Sequence, residues 1–249
     1  MQHIIVKGEF AIERKICLQT DPLPYAICLC PYSLTSHSLT SKSVALKDMS
    51  EMTDKFECLI QGLMDAEHGV VENFISPQLV ATLRANLLAR LAAGEMIQAG
   101  VGQDNSFQQN NEVRRDQISW IEDDQTDRGE EEYFRLLWDF LGYLNQTCYT
   151  GLNAFESHYA NYDPGSFYRK HRDQFKVDSG RKFSVVLYLN DLWLEAEGGQ
   201  LIIYRKDDQV MVSPEGGKVV FFRSDVNEHE VLPATRARMS IAGWMKQVH

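Results

Sequence analysis

The chain has 249 residues, enough for one well-packed domain with appendages or for two small domains. Its 44% hydrophobic and 24% charged residues are ordinary for a globular protein. The formal net charge of −10 argues against a protein that tracks the phosphate backbone of nucleic acid, because such a protein needs a basic surface.

The five cysteines are an odd number, and the first residues, MQHIIVKGEF, do not read as a secretory leader. We therefore expect free thiols in a cytoplasmic protein. The stretch 22–41 lacks charged residues but contains three prolines, which excludes a membrane-spanning helix there, and we expect no membrane partner.

Residues 1–53 show neither helical nor strand periodicity over a useful length, and this predicts an irregular, flexible N-terminal arm. Cys28 and Cys30 have no partner pair at metal-site spacing and are interpreted as unpaired thiols. Met49 and Met52 precede the first regular segment, so one hypothesis is that the native protein begins there.

Residues 54–150 are predicted to form a layer of supporting helices. One helix should start at Ser76 as N-cap with Pro77 in its first turn and stop at Gly94. A second should cover about 130–149, with acidic residues at its N-terminal end, where the helix dipole stabilises negative charge.

The hydrophobic period changes from about 3.6 to 2 after residue 153. Short segments rich in β-branched and aromatic residues follow one another, separated by turns such as DPGS and PEGGK. Helices followed by closely spaced strands predict an α+β fold whose core, 151–249, is an antiparallel sandwich or barrel.

The segment SFYRKHRDQF contains His171 and Asp173 at alternate positions, so both side chains should point to one side of an extended chain. An iron site with two histidines and one carboxylate needs a third ligand from another strand. His3 and His37 fall in the irregular arm, His68 falls in a region predicted to be helical and His249 is the last residue, which leaves His158 and His229. His229, between two late strands, is favoured, and His158 is expected to pack near the site.

Arg238 lies within an otherwise apolar strand, nine residues after His229. A buried arginine is costly without an anionic partner, and its guanidinium matches a carboxylate with two hydrogen bonds. Iron and arginine together suggest a small diacid such as 2-oxoglutarate. Arg236 would share the same face of a regular strand, although an exposed edge position is favoured for it.

From about residue 65 to its end, the chain resembles the 2-oxoglutarate- and Fe(II)-dependent prolyl hydroxylases, and most of all the bacterial relatives of the hypoxia-inducible-factor prolyl hydroxylases. The matching stretches, in order, are RRDQISWI, YDPGSFYRKHRD, RKFSVVLYLND, GGQLIIY, VVFFRSDVNEHEVLPA and RMSIAGW. The resemblance implies a double-stranded β-helix, or jelly-roll, core supported by N-terminal helices. The catalytic domain would then be 54–249.

The resemblance also implies roles for individual residues. His171, Asp173 and His229 would bind Fe(II), and Arg238 would bind the distal carboxylate of 2-oxoglutarate with help from the Tyr188 hydroxyl. Four further residues would line the cosubstrate pocket: Tyr162, Val186, Leu201 and Val231.

Two further pairs match positions in the family. Asp116 and Arg181 match an acid–arginine pair that ties the substrate-side loop to the core. Trp120 and Trp244 match structural or pocket-lining aromatics, and Trp244 is expected to belong to the core.

The resemblance implies hydroxylation of a prolyl residue in a protein loop, coupled to decarboxylation of 2-oxoglutarate to succinate and CO2. Fe(II) and O2 are implied as well, with ascorbate as reductant, and bacterial relatives suggest a translation factor as substrate. The alternatives are hydroxylation of a free amino acid or small metabolite, nucleic-acid demethylation as a distant third, and a non-catalytic jelly-roll binding module. The oligomeric state stays open.

Overall fold

The computed structural model describes residues 37–100, 112–122, 127–174 and 180–248, with side chains from residue 49 onward. Its α-helices are α1 (His37–Ala66), α2 (Pro77–Ala93) and α3 (Arg128–Cys148). Its strands are β1 (His68–Val71), β2 (Ile97–Gln98), β3 (Gln117–Ile121), β4 (Ala154–Tyr162), β5 (Tyr168–His171), β6 (Arg181–Tyr188), β7 (Leu201–Tyr204), β8 (Gln209–Val212), β9 (Val219–Arg223), β10 (Glu228–Val231) and β11 (Arg238–Lys246).

Helix α2 has the boundaries that its sequence predicts. The Ser76 hydroxyl accepts a hydrogen bond from the Leu79 amide at 3.2 Å, and Pro77 opens the helix. Gly94 ends it with φ at 73°, a left-handed conformation that glycine adopts without steric cost. The second predicted helix is also confirmed as α3, which starts two residues earlier because Asp127 caps it through the amides of Gly129 and Glu130.

The predicted irregular arm is corrected for residues 37–53, because α1 begins at His37; residues 1–36 lie outside the described residues. Met49 and Met52 lie inside this helix. The Ser/Thr/Lys-rich composition that suggested a linker does not prevent a helix once its later turns pack on the core.

The region predicted as purely helical support also contributes strands β1, β2 and β3, and His68 lies in β1 rather than in a helix. These strands have two to five residues, too few to show a period of 2, and they exist because they pair with distant strands. The division of the chain into an arm and a domain at residue 54 stays a prediction.

The strands form two antiparallel sheets, and this confirms the predicted jelly-roll core. The larger sheet has the order β1-β9-β6-β11-β4-β3-β2, and the smaller one has the order β5-β10-β7-β8. Residues from both sheets share one buried cluster, among them Tyr188, Val220 and Phe222 from the larger and Leu201 and Ile203 from the smaller. The two sheets therefore face each other across an apolar interior.

The helices cover the opposite face of the larger sheet. Leu59, Leu83 and Tyr133 come from the three helices and are fully buried with Phe221 and Ile241 of the sheet. The helical layer thus shields one face while the other face lines the interior between the sheets. Within the described ranges, no helix is both long and apolar enough to cross a membrane.

A buried ionic network joins α2 and α3 to the sheet. Arg90 donates to both carboxylate oxygens of Glu130, at 2.9 and 3.0 Å, and to the backbone oxygen of Trp120 at 2.8 Å. The Tyr159 hydroxyl donates to the same carboxylate at 2.9 Å. Arg90 therefore connects the helical layer to β3 directly.

We expect Glu130→Ala to lower the free energy of unfolding by about 3–5 kcal/mol, because it leaves the guanidinium of Arg90 unpaired in a largely buried place. Urea denaturation followed by circular dichroism measures this loss. Glu131→Ala is the control, since Glu131 is exposed in the same helical turn and its loss should cost under about 0.5 kcal/mol. Equal effects of the two substitutions would contradict a structural role for the network.

Candidate active site

Three possible metal ligands meet where the smaller sheet opens toward the larger one. His171 ends β5 and lies opposite His229 of β10 in the strand register, while Asp173 follows two residues after His171. The Asp173 carboxylate lies 3.4 Å from Nε2 of His171 and 3.6 Å from Nε2 of His229. One ligand atom from each of the three lies within 4.8 Å of the others. This is the two-histidine, one-carboxylate donor set that suits a mononuclear Fe(II) site.

Hydrogen bonds orient each of these side chains. Nδ1 of His171 lies 2.7 Å from the Arg169 carbonyl, and Nδ1 of His229 lies 3.2 Å from the Asn227 carbonyl. A carbonyl can only accept, so both Nδ1 atoms donate, and the Nε2 atoms are the ring nitrogens that lie next to Asp173. The Ser184 hydroxyl donates to Asp173 at 2.7 Å.

The electrostatics of the group match the needs of a cation. Burial lowers the pKa of His229 to about 4, so its imidazole is neutral at physiological pH. Burial opposes ionisation of Asp173, but the two histidines and the Ser184 hydroxyl hold the pKa of its carboxyl well below the usual value. A neutral imidazole and an ionised carboxylate are the protonation states that metal binding requires.

A buried arginine, Arg238, lies near the three possible metal ligands. The Arg238 side chain is 1% exposed, donates from Nε to the Gly199 carbonyl at 2.9 Å and contacts the Ser240 hydroxyl at 3.3 Å. None of the described carboxylates forms an ion pair with it. A buried guanidinium without an acid is costly, so the site fits a carboxylate ligand at this place.

The Tyr188 hydroxyl supports this interpretation. It is buried and has no hydrogen-bond partner among the described residues, and the Arg238 guanidinium lies 5.0 Å from its ring. Burial raises the pKa of Tyr188 to about 12, which keeps the hydroxyl protonated and able to donate. An anion bound at Arg238 would pair with the guanidinium and lie beside Tyr188.

A single cavity of about 390 Å³ connects the three possible metal ligands to Arg238. All the residues predicted for the site line it except Tyr188, which lies beside Arg238. The structure thus brings together residues from β4, β5, β6, β7, β10 and β11. The predicted lining residues on its walls are Tyr162, Val186, Leu201 and Val231.

The predicted pairing of Asp116 with Arg181 is wrong. Asp116 forms its ion pair with Arg114, and Arg181 pairs with Glu156 at 2.8 Å. Arg114 is only two residues from Asp116, so on an extended segment the two side chains share a side and reach each other first.

Arg114 and Tyr168 were missed by the sequence interpretation. Arg114 lies 4.2 Å over the Tyr168 ring, and Tyr168 stacks on the His171 imidazole with 3.5 Å between ring centroids. Tyr168 therefore supports the ring of His171, a possible metal ligand, and Arg114 in turn packs on Tyr168. The spacing Arg-x-Asp within RRDQ is a signal that could have identified Arg114; nothing in the sequence identifies the stack.

Three aromatic side chains line the end of the cavity away from Arg238. They are Trp120 of β3, His158 of β4 and Trp244 of β11. Trp120 is 41% exposed and forms the rim, whereas Trp244 is 7% exposed. The expectation that Trp244 is core holds for its burial, but the residue also lines the cavity. The cavity thus extends well beyond the residues around Arg238.

Comparisons with known proteins agree with this geometry. Residues 157–246 match the family described as the 2OG-Fe(II) oxygenase superfamily. A crystal structure of a Pseudomonas putida prolyl-4-hydroxylase superposes with a TM-score of 0.70 at 34% identity, covering 78% of this chain and 100% of that one.

Two further relatives are more distant or partial. A prolyl hydroxylase from Trichoplax adhaerens, solved with a hypoxia-inducible-factor peptide fragment, gives a TM-score of 0.72 at 23% identity, covering 80% of this chain and 92% of that one, and supports the fold alone. Prolyl 3-hydroxylase OGFOD1 of Xenopus laevis is 36% identical over 76 residues, which cover 26% of this chain and 15% of that protein.

Proposed function

Because the chain belongs to the prolyl 4-hydroxylase family of the 2OG-Fe(II) oxygenase superfamily, we propose that it hydroxylates a prolyl residue within a protein or peptide. Its membership of this family makes the chain a dioxygenase, and the family uses Fe(II), 2-oxoglutarate and O2. The observation that carries the proposal is the placement of His171, Asp173 and His229 opposite Arg238 in one cavity.

In this proposal His171, Asp173 and His229 hold the metal and leave one side of it open to small molecules. When bound, the metal would let O2 act as the oxidant, with one oxygen atom going to 2-oxoglutarate as it becomes succinate and CO2 and the other to an unactivated C–H bond of the substrate. Ascorbate serves as the external reductant.

The remaining residues bind and orient the cosubstrate. Arg238 offers a planar pair of donors to the distal carboxylate, and the Tyr188 hydroxyl donates a further hydrogen bond. Val186, Leu201 and Val231 form apolar walls that exclude water, which strengthens the charged contact.

A peptide substrate is favoured over a free amino acid by the aromatic end of the cavity. Trp120 continues the lining to the surface, where a polypeptide can extend beyond the reacting residue. The substrate class we propose is an exposed loop of a cytoplasmic protein such as a translation factor. Free thiols at Cys58 and Cys148 are consistent with that compartment.

The test is hydroxylation of synthetic peptides that present proline in varied flanking sequences, with free L-proline in parallel. The protein is supplied with Fe(II), 2-oxoglutarate and ascorbate in air. We expect a mass gain of one oxygen atom on the prolyl residue and matching formation of succinate. Turnover of free proline alone would replace the proposal with small-molecule hydroxylation. Absence of any prolyl product would overturn it.

A further inference from the structure

The imidazole of His158 has a defined orientation at the aromatic end of the cavity. Its centroid lies 5.1 Å from the Trp120 ring at an interplanar angle of 88°, and 5.3 Å from the Trp244 ring. The residue is 4% exposed, so the two indoles hold it in place. Such a clamped ring presents its free nitrogen in a fixed direction.

Hydrogen bonding determines which nitrogen carries the proton. Nδ1 of His158 lies 3.1 Å from the Tyr159 carbonyl, and that oxygen can only accept, so Nδ1 donates. Nε2 has no hydrogen-bond partner among the described residues, although His158 lines the cavity. In the neutral ring Nε2 is then a bare acceptor.

Burial and two nearby cations keep the His158 ring neutral. Burial is the main cause that lowers its pKa to about 4, and the cations of Arg114 and Arg181 add to this, while Asp116 opposes it. Nε2 therefore remains an acceptor across the physiological pH range.

The same wall holds a matching donor. Nε1 of Trp244 is buried and has no hydrogen-bond partner among the described residues. An acceptor and a donor on neighbouring strands complement the N–H and C=O groups of an extended polypeptide. A small amino acid bound at the metal would leave both groups unsatisfied.

The position of His158 relative to the proposed metal ligands sets its distance from the substrate residue that reacts. Asp173 accepts from Ser184, Ser184 pairs with Trp244 in the strand register, and Trp244 contacts His158. With strands about 4.8 Å apart, this path places His158 on the order of 10 Å from Asp173. That span corresponds to about three residues of extended chain.

We propose that His158 is a specificity-determining residue whose Nε2 accepts a hydrogen bond from a backbone N–H of the substrate, two or three residues from the target proline. This inference rests on the proposed prolyl hydroxylation. The N–H belongs to a neighbouring residue because proline itself has none. His158 thereby selects for polypeptide over free amino acid.

The first test is ¹⁵N NMR of the histidine side chains between pH 6 and about pH 8. His158 is assigned by comparison with His158→Gln. We expect a neutral ring protonated on Nδ1 throughout. A ring protonated on Nε2, or one that becomes cationic in this range, would overturn the proposal without reference to any substrate.

The second test compares two substitutions on a prolyl peptide that the wild type hydroxylates. His158→Gln keeps an acceptor oxygen near the position of Nε2, and His158→Met has similar length without a good acceptor. We expect His158→Met to raise KM about tenfold with little change in kcat, and His158→Gln to stay within about threefold of wild type.

Peptides in which an ester replaces one amide identify the donor. Removing the recognised N–H should cost the wild type about tenfold in kcat/KM and should cost His158→Met nothing further at that position. Equal losses of kcat/KM for His158→Gln and His158→Met would show that His158 only packs. So would equal sensitivity of the wild type and His158→Met to every ester. Either result would overturn this inference and leave the proposed function standing. A wild type that hydroxylates no prolyl peptide overturns the proposed function and this inference with it.

Discussion

Arg238→Met is expected to abolish tight binding of 2-oxoglutarate while leaving the ligand-free protein at least as stable as the wild type. The guanidinium is almost fully buried and forms no ion pair with a described carboxylate, so it costs stability until an anion arrives. Methionine fills much of the same volume without a charge. We expect the dissociation constant for 2-oxoglutarate to rise at least about 100-fold, or about 2.7 kcal/mol.

Two measurements check this pair of effects. Calorimetric titration of the Mn(II)-loaded protein gives the affinity for 2-oxoglutarate, and thermal unfolding of the ligand-free protein gives Tm, which should rise by about 2–5 °C. Arg236→Met is the matched control, because Arg236 has a 40% exposed side chain and interacts with Glu197 and Trp193 outside the cavity. A destabilised Arg238→Met protein would indicate that the charge is already compensated in the ligand-free state.

Replacement of His229 or Asp173 by alanine should remove metal binding and lower turnover by three or more orders of magnitude. Each substitution deletes one of three donors, and two donors do not hold Fe(II) in an open site. Ser184→Ala should have an intermediate effect, about 10–100-fold in metal affinity, since Ser184 only orients the Asp173 carboxylate.

Anaerobic titration of Fe(II) and 2-oxoglutarate, followed by the visible charge-transfer absorbance of the chelate, measures the assembly of the site. His68→Ala is the control, because His68 lies on β1, at the edge of the larger sheet opposite to β2, and does not line the cavity. Normal absorbance in His229→Ala, with saturation at wild-type concentrations, would rule out His229 as a ligand.

Local chemistry explains which parts of the fold were predictable. The ends of α2 follow from residues with one strong backbone or capping preference, namely Ser76, Pro77 and Gly94. The late strands follow from their alternation and their turns. Strands β1, β2 and β3 were missed because pairing with β9, β3 and β4, respectively, creates them, and pairing is not visible in a segment of two to five residues.

The site likewise has residues that local sequence signals identify and contacts that only the folded chain creates. Spacing places His171 and Asp173 together, and the surrounding strands indicate His229 and Arg238, so these residues were available from sequence. The partner of Asp116 could not be predicted, because both Arg114 and Arg181 were compatible with it. Only the path of the segment before β3 brings Arg114 to Asp116. The acceptor role of His158 depends on a contact with a backbone carbonyl, which has no signature in sequence.

The hydrogen bond from Arg90 to the Trp120 carbonyl gives the helical layer a second influence besides support. Trp120 forms the outer rim of the cavity, and its backbone is held by a side chain that also binds Glu130. A substitution between α2 and α3 can therefore shift the rim without altering any residue that a substrate touches. Divergence among relatives in substrate preference can arise in this layer, behind the sheet, where a comparison of pocket residues alone would find no difference.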